Sequence, residues 1–347
     1  MQEKDVVAID LGNGTTSFIA GNGRSGSYAS LVAQYNGSSG LGGEFGKNFF
    51  KTSSDQKRYL IGEDCREEGA RTRSTDSSFY SSPEIRVLFL KALALADIKN
   101  PAIVSGLPTE FFNNELSTFE KNLKKWATEE GYKPSVVKIL PQWAGPWFDD
   151  ELADENGNIL PRDFVTKGKF GVIDIGQGTT DVGQFVDGKV SDRRHGESKG
   201  VSDIHRAFFT QLQQPEKLNE LLGKKDKKLP KEFALDSQTT EFSMDTWLRN
   251  GFISWRGEQI DITALSLPAR LDFANDLLPR CISKVWGSTD FLNGMILAGG
   301  GASVLGRDIL KQFINCPIYM SASPDLSIVR GYNRFFRTQM LSRGATA

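Results

Sequence analysis

One motif occurs twice in the sequence, once near residue 10 and once near residue 174. At residues 7–16 and 172–180, an apolar run ends in an aspartate that is followed by x-Gly-x-Gly-Thr-Thr. Glycines admit positive φ angles and let backbone N–H groups approach an anion, and threonine hydroxyls add further donors. A single copy would fit an ordinary hairpin turn. Two copies with the aspartate and glycines in register favour phosphate binding, because hairpin turns do not need a shared carboxylate.

The two loops supply the candidate phosphate ligands. Asp10 and Asp174, at the strand ends, are predicted to hold a hydrated Mg²⁺ through water, since Mg²⁺ usually keeps several of its waters. The candidate phosphate-binding residues are Gly12, Asn13, Gly14, Thr15 and Thr16 in the first loop, and Gly176, Gln177, Gly178, Thr179 and Thr180 in the second.

Length and composition fit two domains of ordinary size. The chain has 347 residues, of which 39% are apolar and 24% charged, and no apolar run is long enough for a membrane span. The charged N-terminus leads directly into the first strand and leaves no room for a signal peptide, so we expect a cytoplasmic protein without membrane contact. A net charge of −1 indicates no direct nucleic-acid binding, and three scattered cysteines predict neither disulfides nor a cysteine metal site.

Strand and helix patterns alternate along both halves, which predicts an α/β fold with a largely parallel sheet in each. The acidic, turn-rich stretch 145–163 is predicted to separate the halves. In the first half we expect strands at 16–20, 59–62, 102–105 and 136–140, a glycine-rich region at 21–46, and helices from Ser82 and over 114–130. In the second we expect helices at 202–212, 270–285, 308–313 and 328–340, strands at 295–298 and 318–319, and an irregular insertion over 215–263.

A third motif is the strand-to-helix turn at residues 297–303, which contains Gly299, Gly300 and Gly301. With the two aspartate loops, it resembles the phosphate-1, phosphate-2 and adenosine motifs of the actin-like ATPase superfamily. Residues 103–108 and 329–332 most resemble the ParM/StbA branch of plasmid-segregation actins.

The resemblance implies an actin-like two-domain fold, with duplicated mixed-sheet domains and a nucleotide cleft between them. The implied domain I comprises residues 1–165, with a small outer subdomain at about 21–80, plus the C-terminal helix 325–347. The implied domain II comprises residues 166–324, with an insertion subdomain at about 213–265.

The resemblance also implies site roles. Gln142 matches the position of the residue that orients the attacking water, and Asp10 and Asp174 complete the catalytic set with Mg²⁺. Lys199, Gly200 and Asp203 resemble the loop beside the nucleotide, and Gly299 to Gly301 would approach adenosine. Ser17 departs from the pattern: actins and several ParM-like proteins carry a lysine there, although other branches of the superfamily lack it, and a serine supplies one neutral hydrogen bond where an ammonium would supply charge.

These features predict an ATPase, using ATP or GTP, that polymerises with copies of itself. The implied partner is a DNA-binding adaptor on a plasmid centromere-like site. The alternative is a small-molecule kinase of the same superfold, which would need a carboxylate base such as Asp149 or Asp150. Both aspartates lie in an acidic stretch that favours a solvated helix and loop.

Overall fold

The computed structural model describes residues 2–35, 49–62, 65, 77–161, 166–222, 229–237, 239 and 241–340. Several predicted features lie partly outside these residues, among them the glycine-rich region at 21–46, the insertion over 215–263, the domain boundary at residue 165 and the C-terminal helix 325–347. In the described part of the chain, no helix has both the length and the apolar composition to cross a bilayer.

The first half contains eight described strands and two helices. The strands are β1 (Val6–Leu11), β2 (Thr15–Ala20), β3 (Ser25–Ala29), β4 (Val32–Gln34), β5 (Phe49–Lys51), β6 (Arg58–Ile61), β7 (Ala102–Leu107) and β8 (Val136–Pro141), and the helices are α1 (Pro83–Ala96) and α2 (Thr109–Glu129). A 3₁₀ helix, Gln142–Phe148, follows β8.

The second half adds seven strands and seven helices among the described residues. The strands are β9 (Lys169–Ile175), β10 (Thr180–Val186), β11 (Lys189–Glu197), β12 (Phe252–Trp255), β13 (Glu258–Asp261), β14 (Gly294–Ala298) and β15 (Ile318–Tyr319). The helices are α3 (Val201–Leu212), α4 (Pro215–Leu221), α5 (Glu241–Asn250), α6 (Leu267–Val285), α7 (Gly300–Leu305), α8 (Arg307–Leu310) and α9 (Ser327–Phe335).

The two large sheets share one topology, which confirms the predicted duplication. The first has the strand order β3-β2-β1-β7-β8 and the second the order β11-β10-β9-β14-β15. In each, three antiparallel strands are followed by two that run parallel to the central strand. The aspartate of each repeated motif lies on that central strand, β1 or β9, close to its carboxyl end.

Several predicted elements are confirmed, and α1 illustrates why. Ser82 precedes the helix, its hydroxyl accepts a hydrogen bond from the Ile85 N–H at 3.2 Å, and Pro83 occupies the first turn. The apolar residues of α1 then lie buried against the first sheet. Local sequence signals therefore define this helix.

Other predicted elements were wrong. Helix α2 begins at Thr109 rather than 114, and the predicted helix over 308–313 is shorter and earlier, because α8 covers only Arg307–Leu310 and a turn follows it. By contrast, the predicted last helix over 328–340 is confirmed, because α9 (Ser327–Phe335) continues directly as a π-helical turn, Phe336–Met340. The insertion is not irregular, because its described part contains α4, α5, β12 and β13, whose Leu218, Met244 and Ile253 are buried in the second core.

Two segments connect the halves, and each packs on the opposite sheet. The 3₁₀ helix that follows the first sheet buries Trp143 and Trp147 against β9 and β10, whereas α9, at the end of the chain, packs on β1 and β7. They meet at two glycines: a Cβ on Gly331 would lie 1.8 Å from the carbonyl oxygen of Gly145. Only glycine at residue 331 permits this backbone approach.

Candidate functional site

The two repeated turns lie against each other across the junction of the two sheets. The β1–β2 hairpin presents Gly14, and a Cβ there would lie 3.0 Å from the Cβ of Gln177 in the β9–β10 hairpin. Each turn is tight, since a Cβ on Gly12 would lie 2.8 Å from the Thr15 carbonyl oxygen and the Gly176 N–H donates to the Thr179 carbonyl at 2.8 Å. The fold therefore brings the predicted phosphate ligands of the two halves into one place.

Buried carboxylates stand behind the turns. Asp10 and Asp174 are 7% and 5% exposed, and Gln142 donates from Nε2 to Asp10 Oδ1 at 3.2 Å. Burial raises the pKa of Asp10 to about 7 although the Gln142 hydrogen bond opposes the shift. Burial, and then the charges of Asp181 and Asp10, raise the pKa of Asp174 well above its usual range. The structure thus places three of the predicted site residues together, in a region that favours a cation.

Asp181 is a site residue that the sequence reading missed. It lies opposite Asp174 on β10, is 2% exposed, and accepts a hydrogen bond from the Thr109 N–H of α2 at 2.7 Å. Burial raises its pKa to about 6 against the effect of that bond. Asp181 follows Asp174 by seven residues, as Ser17 follows Asp10. A comparison of the two copies of the motif could therefore have identified Asp181 as a candidate.

The oxygen atoms of the site fit a hydrated divalent cation. Asp174 Oδ1 and Asn13 Oδ1 are both buried and have no hydrogen-bond partner among the described residues. Hard cations such as Mg²⁺ prefer oxygen ligands and retain water. The predicted role of Asp10 and Asp174 in holding such an ion stays a prediction.

Ser17 takes the position that a lysine has in some members of the family. Ser17 is 2% exposed, lies opposite Asp10, and its hydroxyl is 3.0 Å from that of Ser27 on β3. The first turn is supported instead by Ser30, whose hydroxyl donates to the Gly12 carbonyl at 2.6 Å.

The glycine turn after β14 packs tightly on β9. Gly299 has φ +79°, and a Cβ there would lie 2.3 Å from the Ile175 carbonyl oxygen. A Cβ on Gly301 would lie 2.1 Å from Ile175 Cγ2, whereas one on Gly300 would lie 3.7 Å from Arg249 Nη2. Two of the three glycines are thus required by contact with the strand that carries Asp174, and their predicted approach to adenosine stays a prediction.

The loop before α3 abuts the second phosphate turn. A Cβ on Gly200 would lie 2.5 Å from the Gly176 carbonyl oxygen, and the Gly200 N–H donates to Asp203 Oδ2 at 3.0 Å. The Lys199 ammonium pairs with Asp276 of α6. Gly200 and Asp203 therefore lie beside the turn, whereas the charged end of Lys199 is engaged by an acid.

Gln177 has a buried histidine beside it. Its Nε2 lies 3.5 Å from Nδ1 of His205, whose Nε2 lies 3.9 Å from Asp245. Burial lowers the pKa of His205 to about 4, and the nearby Arg249 acts in the same direction against Asp245. The imidazole is therefore neutral at ordinary pH.

Asp149 is not a solvated loop residue, which corrects the sequence interpretation, whereas Asp150 is exposed as expected. Asp149 is fully buried, and Arg330 donates to both of its oxygens, from Nε at 3.0 Å and Nη2 at 2.9 Å. The Ser327 hydroxyl donates to the same carboxylate at 2.6 Å, and Asp150 pairs with Arg334. Asp149 therefore anchors α9 through buried contacts, and Asp150 adds an exposed ion pair to the same helix.

Comparisons with known proteins agree with this geometry. The family model for the N-terminal domain of actin-like proteins matches residues 8–145, and that for the C-terminal domain of the archaeal actin homologue MreB-like proteins matches residues 172–311. A search of curated protein sequences gave no match.

Solved structures share the fold over almost the whole chain. A 15-stranded ParM filament from Clostridium botulinum aligns with a TM-score of 0.67 and 19% identity, covering 97% of this chain and 99% of that one. The pCBH ParM non-polymerisable quadruple mutant aligns at 0.66 and 20% identity, covering 96% and 98%. The archaeal actin homolog Ta0583 in complex with ADP aligns at 0.63 and 18% identity, covering 94% and 97%. With an actin-like N-terminal domain and an MreB-like C-terminal domain on one duplicated fold, the chain belongs to the actin-like superfamily.

Proposed function

We propose that this chain hydrolyses ATP or GTP with Mg²⁺ and forms filaments that drive plasmid DNA segregation. The observation that carries the proposal is the contact of the Gly14 and Gln177 turns, which come from separate halves and have Asp10, Asp174 and Gln142 buried behind them. The similarity to ParM filament proteins and to an ADP-bound actin homolog supports it.

The chain's own groups have distinct roles in the proposed hydrolysis. Backbone N–H groups of the two turns neutralise phosphate charge, and Gln142, held by Asp10, orients the attacking water. Asp10 and Asp174 would hold a hydrated Mg²⁺, which would supply positive charge opposite the transferring phosphoryl group.

Nucleotide binding favours assembly through closure of the two halves. A triphosphate contacted by both turns binds the closed arrangement more tightly, so it shifts the population toward that arrangement. Closure fixes the surfaces of both halves relative to each other. A head-to-tail interface that needs both surfaces then extends as a filament if its rotation does not close a ring. Hydrolysis weakens the clamp and reverses assembly.

The DNA link is indirect in this proposal. The chain has 42 basic and 43 acidic residues and a net charge of −1, so it offers no overall basic field for DNA. A DNA-binding adaptor on a plasmid centromere-like site would connect the filament to its cargo. Pull-down from a plasmid-bearing host, with the filament as bait, tests for such an adaptor.

Sedimentation with nucleotide tests the central claim. The protein should pellet above a critical concentration with Mg²⁺ and ATP or GTP, or a non-hydrolysable analogue, and stay in the supernatant with the diphosphate. If it stays monomeric at about tens of micromolar with either triphosphate, in the range of weak protein contacts, the filament function is wrong.

Asp174→Ala tests the proposed metal-holding carboxylate. Phosphate release at saturating Mg²⁺ and nucleotide should fall by roughly 10²-fold or more, because the shell of the ion loses its buried anchor. The matched control is Asp272→Ala, which removes an exposed aspartate of α6. Release within about twofold of wild type for Asp174→Ala would remove this residue from the mechanism.

The contacts of Asp149 and Asp150 weigh against the kinase alternative. A kinase of this superfold needs a carboxylate base facing the transferred phosphoryl group, and Arg330 and Arg334 engage the two acids that the sequence offered. The filament function is therefore preferred.

A further inference from the structure

A large aromatic side chain of domain II is held out in solvent by a well-bonded turn. Phe291 is 83% exposed, whereas its neighbour Leu292 is buried. The turn is fixed by the Ser288 hydroxyl, which donates to Asp290 at 2.7 Å, and by Asn315, whose Nδ2 donates to Asp290 at 2.7 Å. An exposed phenylalanine on a hydrogen-bonded turn buries little apolar surface in the monomer, and fixing the turn in advance lowers the conformational entropy lost on binding.

This turn, residues 288–292, lies at one end of domain II. Asn293 and Lys169, the first residue of β9, exchange hydrogen bonds at 2.7 Å. The hairpin turn between β10 and β11 lies at the same end of the strands, because its Asp187 accepts a hydrogen bond from the Gly168 N–H. Val190, just after this turn, is 53% exposed. Phe291 therefore lies at the amino end of β9, about 20 Å along this strand from the phosphate turn at its carboxyl end.

An apolar groove lies at the other end of domain II. It has a volume of about 200 Å³ and is lined by Thr210, Gln211, Gln214, Lys217, Leu218 and Leu221 of α3, α4 and their connection. Of its two leucines, Leu221 is 64% exposed and Leu218 is buried. A site of this size admits one phenyl ring, since a cavity of about 150 Å³ holds benzene.

Helix packing places this groove beyond the end of the sheet that carries the phosphate turn. Helix α3 begins there, because the Val201 N–H donates to the Gly176 carbonyl at 3.0 Å, and it packs chiefly against other helices. Helix α6 returns from the insertion to the Phe291 end, where Trp286 lies against Gly171. The 19 residues of α6 span about 28 Å between the two ends.

We propose that Phe291 of one copy inserts into the α3–α4 groove of the next copy, head to tail along domain II. An apolar projection and a matching groove at opposite ends of one molecule form a heterologous contact, which repeats without closing. The proposal rests on the filament function and names one contact of its interface. The ring and the groove are both apolar and similar in size. Each copy of the chain carries one of each, so a second copy is the partner that fits.

Removal of the ring tests the contact. Phe291→Ser should raise the critical concentration for pelleting with Mg²⁺-ATP or Mg²⁺-GTP by roughly tenfold or more, because buried aromatic residues dominate such interfaces. Nucleotide binding and the thermal unfolding temperature should stay unchanged, since the side chain is solvated in the monomer. The matched control is Leu95→Ser, which removes an exposed leucine from α1 of the other half and should leave the critical concentration unchanged.

Cross-linking tests the pairing itself. Cys65, Cys281 and Cys316 are buried, so new surface cysteines can be addressed selectively. A mixture of Phe291→Cys and Leu221→Cys chains with Mg²⁺-nucleotide and a short bis-maleimide should give cross-linked dimers, whereas either variant alone should not.

The outcomes separate this contact from the function on which it rests. If wild type pellets with nucleotide but Phe291→Ser pellets at the wild-type critical concentration, the contact is wrong and the filament function stands. If only Phe291→Cys chains cross-link with each other, the contact is symmetric and the head-to-tail pairing is wrong. If wild type does not assemble with either triphosphate, both fail together.

Discussion

At the residue scale, Gln142 joins the chemistry of the site to its buried charge. Its amide donates to Asp10 at 3.2 Å and so has a fixed orientation beside both turns. Gln142→Ala should slow hydrolysis by something like 10²-fold and leave nucleotide affinity nearly unchanged, because a water-orienting group acts in the chemical step. Single-turnover phosphate release and equilibrium nucleotide titration measure the two effects.

Gln312→Ala, which removes a glutamine with an exposed hydrogen bond to Asp308, is the matched control for that substitution. If Gln142→Ala instead loses nucleotide affinity and hydrolyses what it binds at the normal rate, Gln142 is a binding residue. The water-orienting role would then be wrong.

His205 should make stability depend on pH. Burial lowers its pKa from the ordinary 6.5 to about 4, so the unfolded chain takes up a proton before the folded protein does. The stability that the neutral imidazole contributes is present above about pH 6.5 and is lost as the pH falls toward 4. Relative to His205→Gln, wild type should lose about 1–2 kcal/mol between pH 7 and 4.5. Urea unfolding at both pH values measures this difference, and a difference that stays constant with pH would contradict it.

At the element scale, the glycine turn between β14 and α7 offers a matched pair of substitutions. A Cβ on Gly301 meets the branched side chain of Ile175, whereas one on Gly300 meets only the end of Arg249 at 3.7 Å. Gly301→Ala should therefore lower the free energy of unfolding by about 1–3 kcal/mol through overpacking, and Gly300→Ala should be nearly neutral. Chemical denaturation of both variants checks this order, and equal effects would mean that the turn shifts freely.

Elements with strong local signals were predictable, and the others depend on distant contacts. The apolar runs of β1 and β9, and the cap at Ser82, are encoded within a few residues. The start of α2 is not, because its first N–H group is bound by Asp181, which lies 72 residues away in the sequence. Helices α4 and α5 are short, and their stability comes from burial of Leu218 and Met244 in the second core rather than from periodicity.

The candidate site divides in the same way. The turns and their aspartates were predictable because one motif is repeated. The engagement of Lys199 by Asp276 and of Asp149 by Arg330 could not be predicted, since each pair joins elements far apart in the sequence. The ion-pair partner of a charged residue cannot be identified from the local sequence when that partner lies on a distant element.

At the scale of the whole molecule, closure depends on contacts between the halves beside the turns. The Thr109 N–H, at the start of α2 in the first half, donates at 2.7 Å to Asp181 on β10 of the second half. The first N–H groups of a helix have no partner within the helix and favour a negative charge. This hydrogen bond therefore stabilises the observed arrangement of the halves, which the proposed function takes as the closed one, and partly offsets the cost of burying Asp181.

Thr109→Pro deletes that single N–H group. Proline is tolerated at the first helical position, and the preceding Pro108 already has an extended backbone, with φ −57° and ψ 154°. A charge-assisted bond of this kind contributes about 1.5–3 kcal/mol. Without it, the closed form should be less populated, and the critical concentration for assembly should rise by roughly tenfold or more. Thr109→Val keeps the N–H and removes only the hydroxyl, so it should assemble like wild type. Pelleting of both variants with Mg²⁺-nucleotide measures the effect, and equal critical concentrations would show that this bond does not contribute to closure.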